Sequence, residues 1–189
     1  MSKRDLAAGF TLMEVVVCVA IIAVVAAIVF PVAASAKRAA QVTVTKSNLR
    51  QIWFFLEMYR QDCDGASDVG NAYDLRLPPS DFYTGSILPK LGLKPPLAGR
   101  WSGMGWYYYY PPDPQYAHQE LLDEWIRYSN ACGPGANIVA DLNFSDYPIT
   151  SGSPYEARRG IGITLGGQLI DRETLGSPLF YEWWGCGAR

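Results

Sequence analysis

Histidine is nearly missing from this chain: a single one, His118, stands among 189 residues. No paired motif accompanies it, and His118 opens a predicted helix, where a lone histidine reads as a surface or capping residue. No HExxH, GxSxG or Walker sequence occurs, which excludes the common zinc-protease, serine-hydrolase and P-loop signatures. Gly160-Ile161-Gly162 begins like a dinucleotide fingerprint but lacks the third glycine, so it reads as strand and turn. The carboxylates show no spacing that singles out an acid and a base. No enzymatic activity and no cofactor are therefore expected. Charge imbalance is also missing: 16 Lys and Arg against 18 Asp and Glu give a net charge of −2. Without a broad basic surface to neutralise phosphates, nucleic acid is not expected as a partner. Asp62, Asp64 and Asp68 alternate like an oxygen-rich calcium loop, yet the terminal Glu and further ligands of such a loop are absent. The stretch reads as a turn, and no metal site is expected.

What the chain has instead is a nearly unbroken apolar run from Val15 to Phe30, preceded by Gly9-Phe10-Thr11-Leu12-Met13-Glu14 and closed by Pro31. Read as one helix from Phe10 to Phe30 it is roughly 31 Å long, the thickness of a bilayer's hydrocarbon core. Pro31 is expected to kink this helix, since a proline in a membrane helix more often bends than ends it. Glu14 is the one charged residue in the run, and a carboxylate at membrane depth costs about 2.5 kcal/mol or more unless it finds a partner. Residues 1–9 form a short polar, basic leader with no apolar segment of their own and read as a piece to be removed. A cut after Gly9 would turn Phe10 into a positively charged amino terminus one helical turn from Glu14. A parallel neighbour shifted along its axis would bring its own Phe10 amine against Glu14, so the lone charge favours staggered stacking of copies into a filament.

This constellation resembles the type IV pilin-like superfamily, which includes type IV pilins and the pseudopilins of type II secretion. The matching residues are Gly9 before the cut, aromatic Phe10 after it, Thr11-Leu12 next, then Glu14 and Pro31. The resemblance implies a membrane-embedded prepilin peptidase that cleaves Gly9-Phe10 and methylates the Phe10 amine, with Glu14 guiding subunit docking. It further implies other pilin or pseudopilin subunits and an inner-membrane assembly platform as partners, besides the lipid bilayer. The expected organisation is a leader over 1–9, a transmembrane helix over 10–31, an amphipathic continuation over 32–61 and an exported α+β head over 62–189. A single pass through the inner membrane is expected, with the head outside the cytoplasm. Basic residues flank the span on both sides, at Lys3-Arg4 and Lys37-Arg38, so the orientation follows from the leader and the resemblance. A second reading takes Val15 to Phe30 as the core of a Sec signal and Ala34-Ser35-Ala36 as its cleavage site. It would release an exported binding module starting at Lys37.

Beyond the span, Val42, Leu49 and Leu56, with Ile52 and Tyr59 beside them, mark an amphipathic helix over Ala39–Gln61. It is expected to cover the apolar face of a small antiparallel sheet. Residues 81–93 are too interrupted by Gly85, Pro89 and Gly92 for more than a packed connection. Trp106 to Tyr110 predicts a strand whose rings, with Trp101, pack in the core or form a platform for sugar rings. Tyr116 to Asn130 predicts a helix ended by Gly133-Pro134, and Asn137 to Phe144 an alternating strand. A polar loop to Arg159 follows. Ile161–Leu165 and Gln168–Ile170 then flank Gly166-Gly167 as a two-residue hairpin, and the aromatic tail from Pro178 to Trp184 is expected to add an edge strand. Cys63, Cys132 and Cys186 lie in the exported part, where three thiols leave one over. Cys132 with Cys186 is the expected pair, tying the aromatic tail to the sheet, comparable to the C-terminal disulfide loop of many type IV pilins.

Overall fold

The structure, a computed structural model, describes residues 10–62, 72–78, 91–97, 107–112, 117–145 and 154–186. The chain divides into two compact units, Met1–Ala40 and Gln41–Arg189. Helix α1, Leu12–Asp62, starts in the first and ends in the second. In the second unit β1 (Tyr108–Tyr109), α2 (Gln119–Cys132), a 3-10 turn (Gly133–Gly135), β2 (Asn137–Asp141), β3 (Ala157–Thr164), β4 (Leu169–Leu175) and the short helix α3 (Tyr181–Trp184) follow in order. The strands form one antiparallel sheet in the order β1-β2-β3-β4. The result is an α+β fold of pilin-like arrangement, a long amino-terminal helix with its later turns packed on a four-stranded sheet.

Those later turns bury one stripe: Thr45, Leu49, Ile52, Leu56 and Arg60, at spacings of three and four that keep them on one face. Val42 and Tyr59, on the expected stripe, are only half-buried. Two polar residues join the stripe because each finds a partner. Thr45 donates to Asp141 Oδ2 at 2.9 Å, and Arg60 Nε donates to the Leu75 carbonyl at 3.1 Å. Half-buried Trp53 adds a bond from its indole N–H to the Leu165 carbonyl at 3.0 Å.

The sheet is covered on both faces, not on one. Asp141, Val139, Ile161 and Ile163 pair in register and share the α1 side, as the Thr45–Asp141 bond fixes. Gly160 and Gly162 face the other way, where a Cβ on Gly160 would meet Trp184 at 2.6 Å and one on Gly162 would meet it at 3.0 Å. The two glycines are a flat floor that admits indole rings. This is why the tail does not add an edge strand. Residues 181–184 turn into α3 so that Trp183 and Trp184, both buried, lie across the glycine floor. Trp184 Nε1 donates to Tyr110 Oη at 2.6 Å and to the Pro178 carbonyl at 2.9 Å, and Arg172 of β4 donates to the Trp184 carbonyl.

Local chemistry accounts for the other departures. The hairpin has a three-residue loop, Leu165-Gly166-Gly167, closed by Thr164 N–H to the Gln168 carbonyl at 2.9 Å. Only Gly167 has positive φ, at 79°, whereas a two-residue turn of the primed type needs it at both positions. The Thr164 hydroxyl also accepts the Gln168 N–H at 3.0 Å, fixing that loop. Strand β2 stops at Asp141, not Phe144, because the Asp141 carboxylate accepts the Asn143 N–H at 3.0 Å and turns the chain. β3 starts at Ala157, inside the expected loop, and Arg159 is held across the ladder by a two-point bond to Asp171 at 2.9 and 3.0 Å. Helix α2 begins later than expected and ends at Cys132, where Gly133 takes a φ of 52°. The tyrosine strand is two residues long, and Trp101 and Trp106 lie outside the described residues, as do 81–90, Cys63, Asp64 and Asp68.

Candidate functional site

The first turns of α1 have little to bury and much to expose. Phe10, Leu12 and Phe30 are 84%, 85% and 79% exposed, and Val15, Ile21, Ile22, Val24 and Ile28 are exposed between them. This stretch, apolar on every side and uncovered by protein, is long and apolar enough to cross a membrane. An 18-residue window has a mean hydropathy of 3.2, with none of it buried. From Thr11 to Ala36 Glu14 is the only charged side chain. Pro31 lies inside α1, which continues through it to Asp62. The proline lacks an N–H, so the carbonyl one turn before it loses its ladder donor.

Glu14 is not bare. The backbone N–H of Thr11 donates to Glu14 Oε2 at 2.8 Å, and the Thr11 hydroxyl donates to the same oxygen at 2.9 Å. In return the Glu14 N–H donates to Thr11 Oγ1 at 3.3 Å. This is a capping box, reciprocal satisfaction of orphan donors at a helix start. Sequence reasoning missed it, although Thr-x-x-Glu before an apolar run is its signature. Gly9, the residue before the expected cut, lies outside the described residues, and Phe10 is exposed at the head of α1.

A second cluster lies in the head. Cys132, at the end of α2, is disulfide-bonded to Cys186 beyond α3, with Cα atoms 4.9 Å apart. Beside the bond a cleft of about 380 Å³ is lined by Glu124, Arg127, Tyr128, Tyr181 and Glu182. Tyr128 and Tyr181 stack with centroids 5.4 Å apart. Tyr128 donates to the Gly185 carbonyl at 3.1 Å and accepts the Asn137 N–H at 2.8 Å, and burial pushes its hydroxyl up to about 12. Tyr107 and Tyr110 are buried, and Tyr108 and Tyr109 half-buried, so these tyrosines serve packing and offer no open platform. His118 is exposed ahead of α2, and among the described residues no group of three or more His, Cys, Asp or Glu converges to hold a metal.

A family model described as the prokaryotic N-terminal methylation motif matches residues 4–30. No curated protein and no solved structure matches the chain. The chain therefore carries a type IV pilin-like prepilin motif at its amino terminus, and the match coincides with the exposed apolar helix. Motif and helix together point to membrane anchoring with an exported head.

Proposed function

We propose that this protein is a structural subunit of a pilus-like filament, processed by a prepilin peptidase between Gly9 and Phe10 and methylated on the new Phe10 amine. The observation that carries the reading is the methylation motif over residues 4–30 coinciding with an exposed apolar stretch at the start of α1 whose one charged side chain through Ala36 is Glu14. In the bilayer that carboxylate is tolerated when partnered, and the Phe10 amine of a neighbouring copy supplies the opposite charge. Copies then stack through their amino-terminal helices. A type II secretion pseudopilus is preferred over a type IV pilus, with an inner-membrane assembly platform and other pilin or pseudopilin subunits as partners. The organisation proposed is leader 1–9, membrane helix 10–31 bent at Pro31, amphipathic continuation 32–61 and exported head 62–189.

Mass spectrometry of the amino terminus of protein purified from its native membrane tests the reading. The expected result is a chain beginning at N-methylated Phe10. A chain beginning at Lys37 would replace the filament subunit with an exported binding module cut from a Sec signal.

A further inference from the structure

The disulfide in the head joins two segments that are already joined beside it. Tyr128 and Cys132 stand one turn apart on the same face of α2. The Tyr128 hydroxyl donates to the Gly185 carbonyl at 3.1 Å, one residue before the Cys186 that bonds Cys132. That contact needs no oxidant. The residue before it is held too: Trp184 Nε1 donates to Tyr110 Oη at 2.6 Å and to the Pro178 carbonyl at 2.9 Å, and Arg172 donates to the Trp184 carbonyl. The two cysteines differ in access. Cys132 is 8% exposed at the end of α2, whereas Cys186 is exposed, and both border the cleft of about 380 Å³.

We propose that the bond closes in a fixed order on an already folded head: Cys186 is the entry thiol that takes a mixed disulfide from an external disulfide donor, and Cys132 is the resolving thiol. The Cys186 thiolate attacks one sulfur of the donor, forming the mixed disulfide and expelling the donor's other sulfur as a thiolate. The Cys132 thiolate, whose Cα stands 4.9 Å from that of Cys186 in the closed bond, then attacks Cys186 Sγ and expels the second donor sulfur. Two cysteine thiols are oxidised, one donor disulfide is reduced to two thiols, and the two protons pass to those thiols. The order follows from access. A donor carries a group on each sulfur and needs an open approach, which Cys186 gives it, whereas Cys132 has only to reach its neighbour. Export from the amino terminus would instead present Cys132 before Cys186, so the order of attack separates closure on a folded head from oxidation of an emerging chain. Of the reading above, this requires only that the head be exported.

The test uses the full chain in detergent, with Cys18→Ala and Cys63→Ser to leave only the two thiols of interest. After reduction it is mixed with oxidised mercaptoethanol, an uncharged donor that Glu124 and Glu182 beside the cleft neither draw nor repel. In this background Cys132→Ala leaves Cys186 alone and Cys186→Ala leaves Cys132 alone, and acid quenching with peptide mass mapping follows the adduct on each. Cys186 should gain the adduct at least about fivefold faster than Cys132 in native buffer, because access separates two otherwise similar thiols. In denaturant the two rates should converge. The reduced chain with both cysteines should keep the near-ultraviolet circular dichroism of its packed tryptophans before any donor is added. Equal rates in native buffer, a faster Cys132, or a reduced chain without that signal would overturn the proposal. A preference for Cys186 that persists in denaturant would overturn it as well, since the order would then owe nothing to the fold.

Discussion

The glycine floor beneath the indoles allows a quantitative test at Gly162. A Cβ there would stand 2.2 Å from Asn137 Oδ1, 2.9 Å from its Cγ and 3.0 Å from Trp184 Cζ3. None of these can move cheaply. Asn137 opens β2 and is fully buried, and Trp184 is tied to Tyr110 and Pro178 and lies two residues before a disulfide. Overpacking of this kind costs about 1–3 kcal/mol, and the tightness of the contact places Gly162→Ala at the upper end. For a head of this size that lowers the melting temperature by roughly 5–10 °C. Asn137 supplies an internal control, because its Oδ1 and Nδ2 are buried without a hydrogen-bond partner. Asn137→Ala therefore loses packing but relieves an unsatisfied amide worth about 1–3 kcal/mol, and alone should be nearly neutral. Combined with Gly162→Ala it removes the clashing oxygen and should recover at least about half of the lost stability. Thermal unfolding of the full chain in detergent, followed by the near-ultraviolet circular dichroism of the packed tryptophans, measures all three variants. A Gly162→Ala protein melting with the wild type, or a double variant no better than the single, would refute the reasoning.

Arg76 sits at a φ of 52° after a one-turn segment, with its N–H bonded to the Tyr73 carbonyl and that of Leu77 to the Ala72 carbonyl. Glycine suits this position better, so Arg76→Gly should raise the denaturant midpoint by the equivalent of about 1 kcal/mol; a lower midpoint would contradict it. Burial raises the pKa of Asp141 above its ordinary 3.8 despite bonds from Asn143 and Thr45. A folded carboxyl that holds its proton more tightly than the unfolded one contributes stability below about pH 3.8, and that contribution is lost as pH rises through the folded pKa. Asp141→Asn, which keeps the oxygen that accepts from Asn143 and reverses the Thr45 bond so that the amide donates to Oγ1, removes the charge and should therefore stabilise the head at neutral pH and gain little in acid. Melting curves across pH decide this, and equal loss at both ends would reject it. Finally, removing the Cys132–Cys186 bond by paired alanines releases a span of 54 residues and should cost roughly 4 kcal/mol in the chain-entropy account. Peptide mapping without reduction should recover the linked pair; both thiols free would refute it.

Much of the architecture was legible because it is local. Leu49, Ile52 and Leu56 recur at helical spacing, Gly133-Pro134 follows α2, and two glycines sit between alternating runs at the hairpin. What was not legible depends on residues far apart in the chain. Nothing local tells a run containing Tyr181, Trp183 and Trp184 to become a helix, since aromatics favour strands; the reason is the space above Gly160 and Gly162. The three-residue hairpin loop turned on the hydroxyl of Thr164, and the early end of β2 on the carboxylate of Asp141, each a side chain competing with the ladder. At the amino terminus the opposite occurred. Thr11 and Glu14 are three residues apart, so their pairing is legible in the sequence as a capping box.

One property of the sheet bears on life at high local density. Among the described residues β4 stands at one margin of the sheet, and a bare strand margin is a template on which another chain can add. Here that margin carries Asp171, Arg172 and Glu173 in succession, with Asp171 fixed by Lys46 at 2.9 Å and by Arg159. Burial alone would raise the Asp171 pKa, but these two cations outweigh it and hold the carboxyl below its usual range, so the strand stays charged through mild acid. The opposite margin, β1, is two residues long and offers almost nothing to extend. Were copies to crowd side by side, the two described margins would offer another strand little to extend, leaving contact between sheets to side chains.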